Sequence, residues 1–296
     1  MKKIIAPIFS TTIIKLSLSL SSSLLLLVLL YGVASSMGAQ AQANRAATKN
    51  STSARAAQKP DTSVLLNLAL RQPMLAERAT KSFLMLTRIV LTFRSRSQLD
   101  ESLTEFAVNL AKLSAGAPTN EIRENYALLE QLFDEFKDIK SKPVNNESAA
   151  LLAEQNEELV WIAQKGANLW LAATKTDRNE LIATAGEVRI LTQRLAKLYL
   201  FRTSGIRNKV VSNDLKKAEA DYRVAMQRLL NASQNTEQIK QELALAETQW
   251  LFLRGAIERL NADQTSILQL EHVSKTCDNI LSVMEKVAGL YGQIKA

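Results

Sequence analysis

The sequence contains few of the residues that interrupt helices. Its 296 residues include only 9 glycines and 5 prolines, and no proline follows Pro143. Proline is the strongest breaker of a helix interior, whereas β-sandwiches and barrels depend on many turns rich in glycine and proline. This composition argues against an all-β fold and predicts long helices.

The sequence also has few of the side chains on which enzymes commonly rely. Cys277 is the single cysteine and His272 the single histidine, which excludes an intrachain disulfide, a histidine-rich metal site and a pair of imidazole catalysts. The acidic residues are scattered over predicted helix faces, without a pair that could be assigned as acid and base. We therefore predict no catalytic residues, no metal, no cofactor and a protein that is not an enzyme.

Residues 1–41 have the order of a secretory signal peptide. Lys2 and Lys3 precede an apolar run that is strongest at residues 24–30, and small residues lead to an Ala-x-Ala site. The stretch 16–33 is also close to the roughly 20 residues that a membrane span needs. The sequence predicts export to the periplasm or cell envelope with cleavage after residue 41 or 43, and a single-pass inner-membrane anchor is the alternative.

The charge distribution gives no sign of nucleic-acid binding. The whole chain carries a net charge of +8, and removal of residues 1–41 takes away three lysines and no acids, which leaves +5. No basic run is interleaved with aromatic residues in the manner of a nucleic-acid groove. We therefore exclude nucleic acid as a partner.

The remainder of the chain divides into a linker and a long helical region. Residues 42–62 have almost no large apolar side chains and are predicted to be a flexible linker. From Val64 onward apolar residues recur at helical spacing, most regularly from Ile239 to Leu260. Clusters of turn-forming residues predict breaks between helices, although longer helices could run through some of them; the breaks are at residues 94–97, 115–119, 141–146, 175–178, 204–208, 231–234 and 261–263.

The helical region contains an internal repeat. Residues 74–84 align with residues 190–200 at an offset of 116, and the same offset brings Phe106 onto Tyr222. One inserted residue later, Phe133 falls on Trp250. Two tandem units of about 110 residues are therefore expected.

The repeat defines the predicted fold and its domains. Each apolar helix stripe needs facing partners, and about four helices fit one unit. We predict an all-α fold of tandem antiparallel four-helix-type bundles with long helices. The first domain covers residues 63–176 and the second covers residues 177–296.

The second copy of the repeat resembles a known sensor motif. Residues 186–200 read Gly-Glu-Val-Arg-Ile-Leu-Thr-Gln-Arg-Leu-Ala-Lys-Leu-Tyr-Leu and resemble the pattern G-R-Q-R-M-L-S-Q-R-x-A-K-x-Y-L. This pattern is similar to the signature helix of the N-terminal sensor domain of type IV pili methyl-accepting chemotaxis transducers (PilJ-type). That domain is related to the sensor of NarX-type nitrate and nitrite kinases. Residues 71–78 resemble the same motif and keep an Arg-Gln pair that the second copy lacks.

The resemblance implies a small-anion site at Arg189. In the nitrate-sensing relatives, the arginine at this position faces its symmetry mate in a dimer and holds a small anion between helices. A guanidinium fork matches a planar oxyanion, and two converging cations need an anion between them. The equivalent position of the first copy is Pro73, so the implied pairing is between two Arg189 residues across a homodimer. Glu187 lies where the family motif has an arginine.

The repeated cations are further candidate ligand-binding residues, and each copy of the repeat contributes some of them. Their alternative interpretation is that they lie on solvated helix faces and pair with acids. The full candidate set is Arg189, Gln193, Arg194, Lys197, Arg78 and Lys81.

Several other conspicuous side chains have a simpler interpretation. Cys277 follows an apolar helical stripe and is predicted to be a small buried hydrophobic residue. Trp161, Trp170 and Trp250 lie in apolar helical patterns and are predicted to anchor the core or an interface.

The resemblance implies a non-enzymatic, sensor-type protein. It would bind a small ligand or anion and act as an accessory to envelope signalling or type IV pili chemotaxis. The sequence shows no methyl-accepting coiled coil or kinase, so we expect the protein to pass its state to an envelope or transducer partner through a small helix shift. The alternative is a structural or scaffolding bundle of the periplasm that has lost ligand binding.

Overall fold

The computed structural model describes residues 62–204, 209–260 and 265–294, and these ranges are helical almost throughout. No strand occurs in them, so the prediction of an all-α fold is confirmed for this part of the chain. The described residues form eight α-helices, and a 3-10 turn, Asp138–Ser141, follows the third of them. The helices are α1 (Thr62–Thr87), α2 (Thr92–Gly116), α3 (Asn120–Lys137), α4 (Asn146–Ala173), α5 (Asp177–Thr203), α6 (Lys209–Leu230), α7 (Glu237–Glu258) and α8 (Ile267–Gln293).

The predicted signal peptide or anchor at residues 1–41 lies outside the described residues, as does the predicted linker up to residue 61. Within the described ranges, no helix combines the length and apolar character that crossing a membrane requires. Residues 59–296 form one compact unit. The predicted boundary between residues 176 and 177 falls at the start of α5, inside this unit.

Side-chain caps set the start of five helices. In each case a side-chain oxygen accepts a hydrogen bond from the backbone N–H three residues later. Such a cap stabilises a helix by about 1 kcal/mol, and three of the caps lie within predicted breaks. The capping residues are Thr119, Asn145, Thr176, Thr236 and Ser266.

The first predicted break, at residues 94–97, is wrong. Helix α2 already begins at Thr92, and the chain turns at residues 88–91. Ile89 and Leu91 adopt positive φ angles of 55° and 44° in this turn. The Ser95 hydroxyl donates to the carbonyl oxygen of Val90 at 2.9 Å, so this serine supports the first turn of α2 instead of ending a helix.

Helices α1 and α5 form a central pair that runs in the same direction. A Cβ atom at Gly186 of α5 would lie 3.0 Å from Leu70 of α1, and these two positions are 116 residues apart. Further along, Arg194 contacts Glu77 at 2.9 Å. Residues that the sequence repeat aligns therefore lie side by side, and both helices are buried on nearly every side.

The other helices surround this pair in the same way on both sides. Helices α2 and α4 pack against α1, and α6 and α8 pack against α5. Helix α3 packs against α4, and α7 packs against α8. We call α1–α4 the first half and α5–α8 the second half.

The buried side chains repeat with the helices. Phe106 stacks on Phe133 with ring centroids 4.3 Å apart, and Tyr222 stacks on Trp250 at 4.2 Å. The repeat aligns Phe106 with Tyr222 and Phe133 with Trp250, so the two stacked pairs occupy equivalent positions in the two copies. In α4 and α8 the buried positions recur at an offset of 121, which relates Trp170 to Tyr291.

Candidate ligand-binding site

Helices α1 and α5 carry charged side chains into the interior. Lys81, Lys197, Glu77 and Arg189 are all buried almost completely. An isolated charge in such a position is strongly destabilising, so each needs a partner of opposite charge or several hydrogen bonds. The packing of the two halves supplies these partners.

The first cluster lies on the side of α5 that faces α4. Lys197 Nζ lies 2.8 Å from Glu77 of α1 and 2.7 Å from Glu157 of α4. Arg194 contacts the same two carboxylates, at 2.9 Å and 2.8 Å. Burial acts to raise the pKa of Glu157, but Lys197 and Arg194 outweigh it and hold that pKa below its ordinary value.

A related cluster lies on the side of α1 that faces α8. Lys81 Nζ lies 2.5 Å from Asp278 of α8, and Gln98 donates to the same carboxylate at 2.7 Å. Burial acts to raise the pKa of Asp278, but Lys81, with help from Gln98 and Arg94, lowers it below the ordinary value. Lys81 is equivalent to Lys197, and each lysine binds an acid from the opposite half.

Arg78 lies on the same helix as Lys81, close to the cluster of Lys81 and Asp278. Its Nε donates to the Ser102 hydroxyl at 2.8 Å, and its guanidinium lies 3.6 Å from Glu101. The repeated cations thus do pair with acids, as their alternative interpretation expected. They do not lie on solvated faces, however, because both lysines are buried.

Arg189 lies apart from these clusters and is fully enclosed. One of its terminal nitrogens, Nη2, donates to Asn67 at 2.8 Å, and Nη1 lies 3.9 Å from Glu285. Its Nε and Nη1 groups have no hydrogen-bond partner among the described residues. Burial lowers the pKa of Arg189 to about 10, and the nearby guanidinium of Arg71 acts in the same direction.

Arg71 is a functional candidate that was not among the residues predicted from the sequence. Its Nη2 lies 2.6 Å from Glu105 and 3.1 Å from Glu285. The carboxylate of Glu285 therefore lies between the guanidinium groups of Arg71 and Arg189. The alignment concealed this pair, because it set Pro73 opposite Arg189; the Arg-Gln pair retained by the first copy was the available signal.

The Arg189 side chain is not exposed on the surface of the chain. Because its guanidinium is enclosed within the chain, it does not face outward to pair with a second Arg189. Gln193, one turn later, donates weakly to the carbonyl oxygen of Cys277 at 3.5 Å, and its own buried oxygen has no partner in the described ranges. The structure therefore brings Arg194 and Lys197 together on Glu77 and Glu157, but it does not gather the six predicted residues into one site.

The described residues offer little for metal or thiol chemistry. They contain no group of three or more His, Cys, Asp or Glu side chains placed to hold a metal ion. Cys277 is buried, as predicted, and burial raises the pKa of its thiol to about 12. A thiol with this pKa is protonated at neutral pH and therefore unreactive.

Comparisons with known proteins give no match. No protein-family model matches the sequence, and no curated protein or solved structure matches the chain.

Proposed function

We propose that this chain is a non-enzymatic, sensor-type helical protein of the cell envelope that responds to a small oxyanion. The observation that carries the proposal is the convergence of Arg71 and Arg189 on one carboxylate, Glu285. Two cations that approach each other in a protein need an anion between them. Here a side chain of the same molecule supplies that anion.

The geometry suits a planar oxyanion of the nitrate or nitrite class. Such an anion could accept hydrogen bonds from Arg189 Nε and Nη1, which have no partner among the described residues. Arg189 is enclosed, whereas Arg71 and Glu285 are partly exposed. The route to the site therefore passes beside Arg71 and Glu285.

Glu285 acts in this proposal as a built-in competitor. An oxyanion that binds both guanidinium groups displaces the Glu285 carboxylate toward solvent and frees one turn of α8. Helix α8 packs along α5, so a change at this turn alters a helix–helix contact. A ligand shifts such an equilibrium only by its difference in affinity for the two arrangements.

The proposed PilJ/NarX-like organisation also includes the pairing of the two halves. We infer that each half is an antiparallel four-helix bundle and that the two bundles stand in tandem. The contact between α1 and α5, aligned at the repeat offset, supports this arrangement. It would provide within one chain the pair of signature helices that the resemblance places at a dimer interface.

Export and signalling complete the proposal. The charged start, apolar run and small residues of 1–41 favour a periplasmic or envelope location. The protein would then pass its state to an envelope or transducer protein through the outer faces of its helices.

One observation favours a second function, a structural bundle of the periplasm. Glu285 already lies between both guanidinium groups, and Glu105 also binds Arg71. The two cations are matched by two acids, so the cluster does not require an external anion. In this case Arg71 and Arg189 serve only to join the halves.

Thermal unfolding in nitrate, compared with chloride at equal ionic strength, separates the two functions. For the oxyanion sensor, millimolar nitrate raises the melting temperature, because a ligand that binds only the folded state stabilises it. Glu285→Gln removes the competitor, so its melting temperature is lower in chloride and rises more steeply with nitrate. Arg189→Met abolishes the nitrate response.

Glu101→Gln is the matched control, because Glu101 is an exposed acid of α2 that contacts Arg78 and not Arg189. It should respond to nitrate like the unmodified protein. If the unmodified protein and Glu285→Gln are both insensitive to nitrate, the oxyanion proposal fails and the structural bundle stands.

A further inference from the structure

An open groove runs along α4, α5 and α6, and its lining includes no residue of the Arg71–Arg189 site. Its larger part is a cleft of about 870 Å³, and a smaller part of about 310 Å³ adjoins it and shares Gln164 and Ile190. Leu70 of α1 and Ile190 of α5 provide apolar lining. We call these two parts together the α4–α6 groove.

The repeat relates this groove to the Arg71–Arg189 site. The offset of 116 places Glu187 at the position equivalent to Arg71, and Asp221 at that of Glu105. The offset of 121 between α4 and α8 places Gln164 at the position of Glu285. In the Arg71–Arg189 site, the guanidinium groups fill the space between the helices. At the equivalent place in the groove, Glu187 stands in the position of Arg71 and the space is open.

The groove is acidic in a basic protein. The whole chain has a net charge of +8, yet six acids and three cations line the groove. Two of the cations already have partners, because Arg194 binds Glu157 at 2.8 Å and Lys217 binds Asp221 at 2.6 Å. The lining residues with charge are Glu157, Asp177, Glu180, Glu187, Asp214, Asp221, Arg194, Lys217 and Arg228.

Glu187 is the acid of the groove at the position equivalent to Arg71. It is half-buried, and no hydrogen bond or ion pair joins its carboxylate to any described residue. Burial raises its pKa above the ordinary value, although the charges of Arg228 and Lys217 act against this. A ligand cation at this point would give the carboxylate the partner that it lacks.

An exposed aromatic ring lies in the same groove. Trp161 is 64% exposed and lines the smaller part, whereas Trp170 and Trp250 are buried. Of the two predicted roles, core or interface anchor, the core role is wrong for Trp161, because this side chain is exposed on the outer face of α4. An accessible indole beside carboxylates is a favourable surface for an organic cation.

We propose that the α4–α6 groove binds a small organic cation with an amine or guanidinium group on a short apolar chain. Glu187 pairs with the charged group, Trp161 contacts the cation or its chain, and the apolar lining covers the methylene groups. This site is separate from the oxyanion site and does not depend on it. The repeat thus yields one site closed by its own cations and one open to cations from outside.

A fluorescence titration of the full chain with agmatine tests this proposal. Agmatine carries an amine and a guanidinium group on four methylene groups, and 1,4-butanediol is its uncharged counterpart. We expect a saturable change in tryptophan emission with agmatine and none with the diol. Trp161→Phe should lose this change in emission, because the other two tryptophans are buried.

Glu187→Gln should weaken the apparent affinity by at least about tenfold, as expected for the loss of a charged contact. Its fold should persist, because the amide removes a half-buried charge without a partner, and circular dichroism checks this. Glu237→Gln is the matched control, since Glu237 is an exposed acid on α7 outside the groove, and it should bind agmatine normally.

The proposal is overturned if the unmodified protein gives no saturable change at millimolar agmatine, or if Glu187→Gln binds as well as the unmodified protein. The nitrate response of Glu285→Gln provides an independent readout. A protein that carries both Glu285→Gln and Glu187→Gln should respond to nitrate as Glu285→Gln alone does. The two proposals can therefore fail independently of each other.

Discussion

Lys81 and Lys197 show how single residues join the two halves. They occupy equivalent positions of α1 and α5, and each binds a carboxylate from the opposite half, Asp278 or Glu157. A buried ion pair adds little net stability relative to apolar packing, but removal of one partner leaves an uncompensated charge. These pairs therefore fix how the halves meet.

Asp278→Asn tests this role at the level of one side chain. Lys81 is fully buried and would lose its carboxylate, so the free energy of unfolding should fall by about 3 kcal/mol. Urea denaturation followed by circular dichroism measures the change. Adding Lys81→Met to the same chain should restore most of the loss.

Asp134→Asn is the matched control for that substitution. Asp134 pairs with Lys137 on the surface of α3, and an exposed pair contributes about 0 to 1 kcal/mol. An equal loss for Asp134→Asn and Asp278→Asn would contradict the role assigned to the buried pair.

Cys277 provides a second test at this scale. Burial raises its pKa to about 12, so the thiol should not react with a thiol-specific reagent in the native protein at mildly alkaline pH. In denaturing urea the same reagent should report one thiol per chain. Rapid reaction under native conditions would show that α8 does not enclose this residue.

At the scale of the helices, most features were predictable from the sequence. Apolar spacing and turn residues predicted the helical content and most of the breaks, because these depend on local patterns. The prediction of a break at 94–97 was wrong because it also used only the local pattern, in which the polar segment Arg-Ser-Arg-Ser resembles a loop. Only the packed structure shows Arg94 bound to Asp278 and Ser95 bound to the preceding carbonyl.

The residues of the candidate site were harder to predict from the sequence than the helices were. The motif identified Arg189, but its second cation, Arg71, lies two positions from where the alignment expected it. Burial of Lys81 and Lys197 was also missed, because sequence patterns assign charged residues to solvated faces. Both features depend on side chains from distant helices that meet only in the folded chain.

The turn between α1 and α2 should accept a stabilising substitution. Ile89 is 79% exposed and has a φ of 55°, a conformation that costs a β-branched residue roughly 1–2 kcal/mol. Asparagine tolerates this region, so Ile89→Asn should raise the free energy of unfolding by about 1 kcal/mol. Urea denaturation measures the gain.

Val144→Asn is the control for the turn, because Val144 is also an exposed β-branched residue but its φ is not positive. Its stability should change by less than about 0.5 kcal/mol. If Ile89→Asn is no more stable than Val144→Asn, the left-handed turn does not carry the expected strain.

At the scale of the whole molecule, the halves are joined along their full central helices. Residue pairs related by the repeat meet between α1 and α5, and the ion pairs of Lys81 and Lys197 cross the contact in both directions. Residues 59–296 form one compact unit. Unfolding one half would remove the charge partners of the other, so the two halves should unfold together.

Acid should unfold both halves in one transition. The pKa values of Asp278 and Glu157 lie below their ordinary values in the folded state. Their contribution to stability is therefore present above about pH 4, the ordinary range for these carboxyls, and is lost as the pH falls through the lowered values. When the protein is melted at a series of pH values from neutral to strongly acidic, the melting temperature should decrease at pH values below about 4. Each melting curve should show a single transition. Two separate transitions would contradict the joined halves.

The most direct test of the oxyanion site is a calorimetric titration of nitrate into the Glu285→Gln protein at constant ionic strength. With the competing carboxylate removed, we expect one nitrate per chain to bind, and addition of Arg189→Met to eliminate the binding. Absence of nitrate binding in Glu285→Gln, or binding that persists without Arg189, would contradict the account of Arg71 and Arg189 as an anion site.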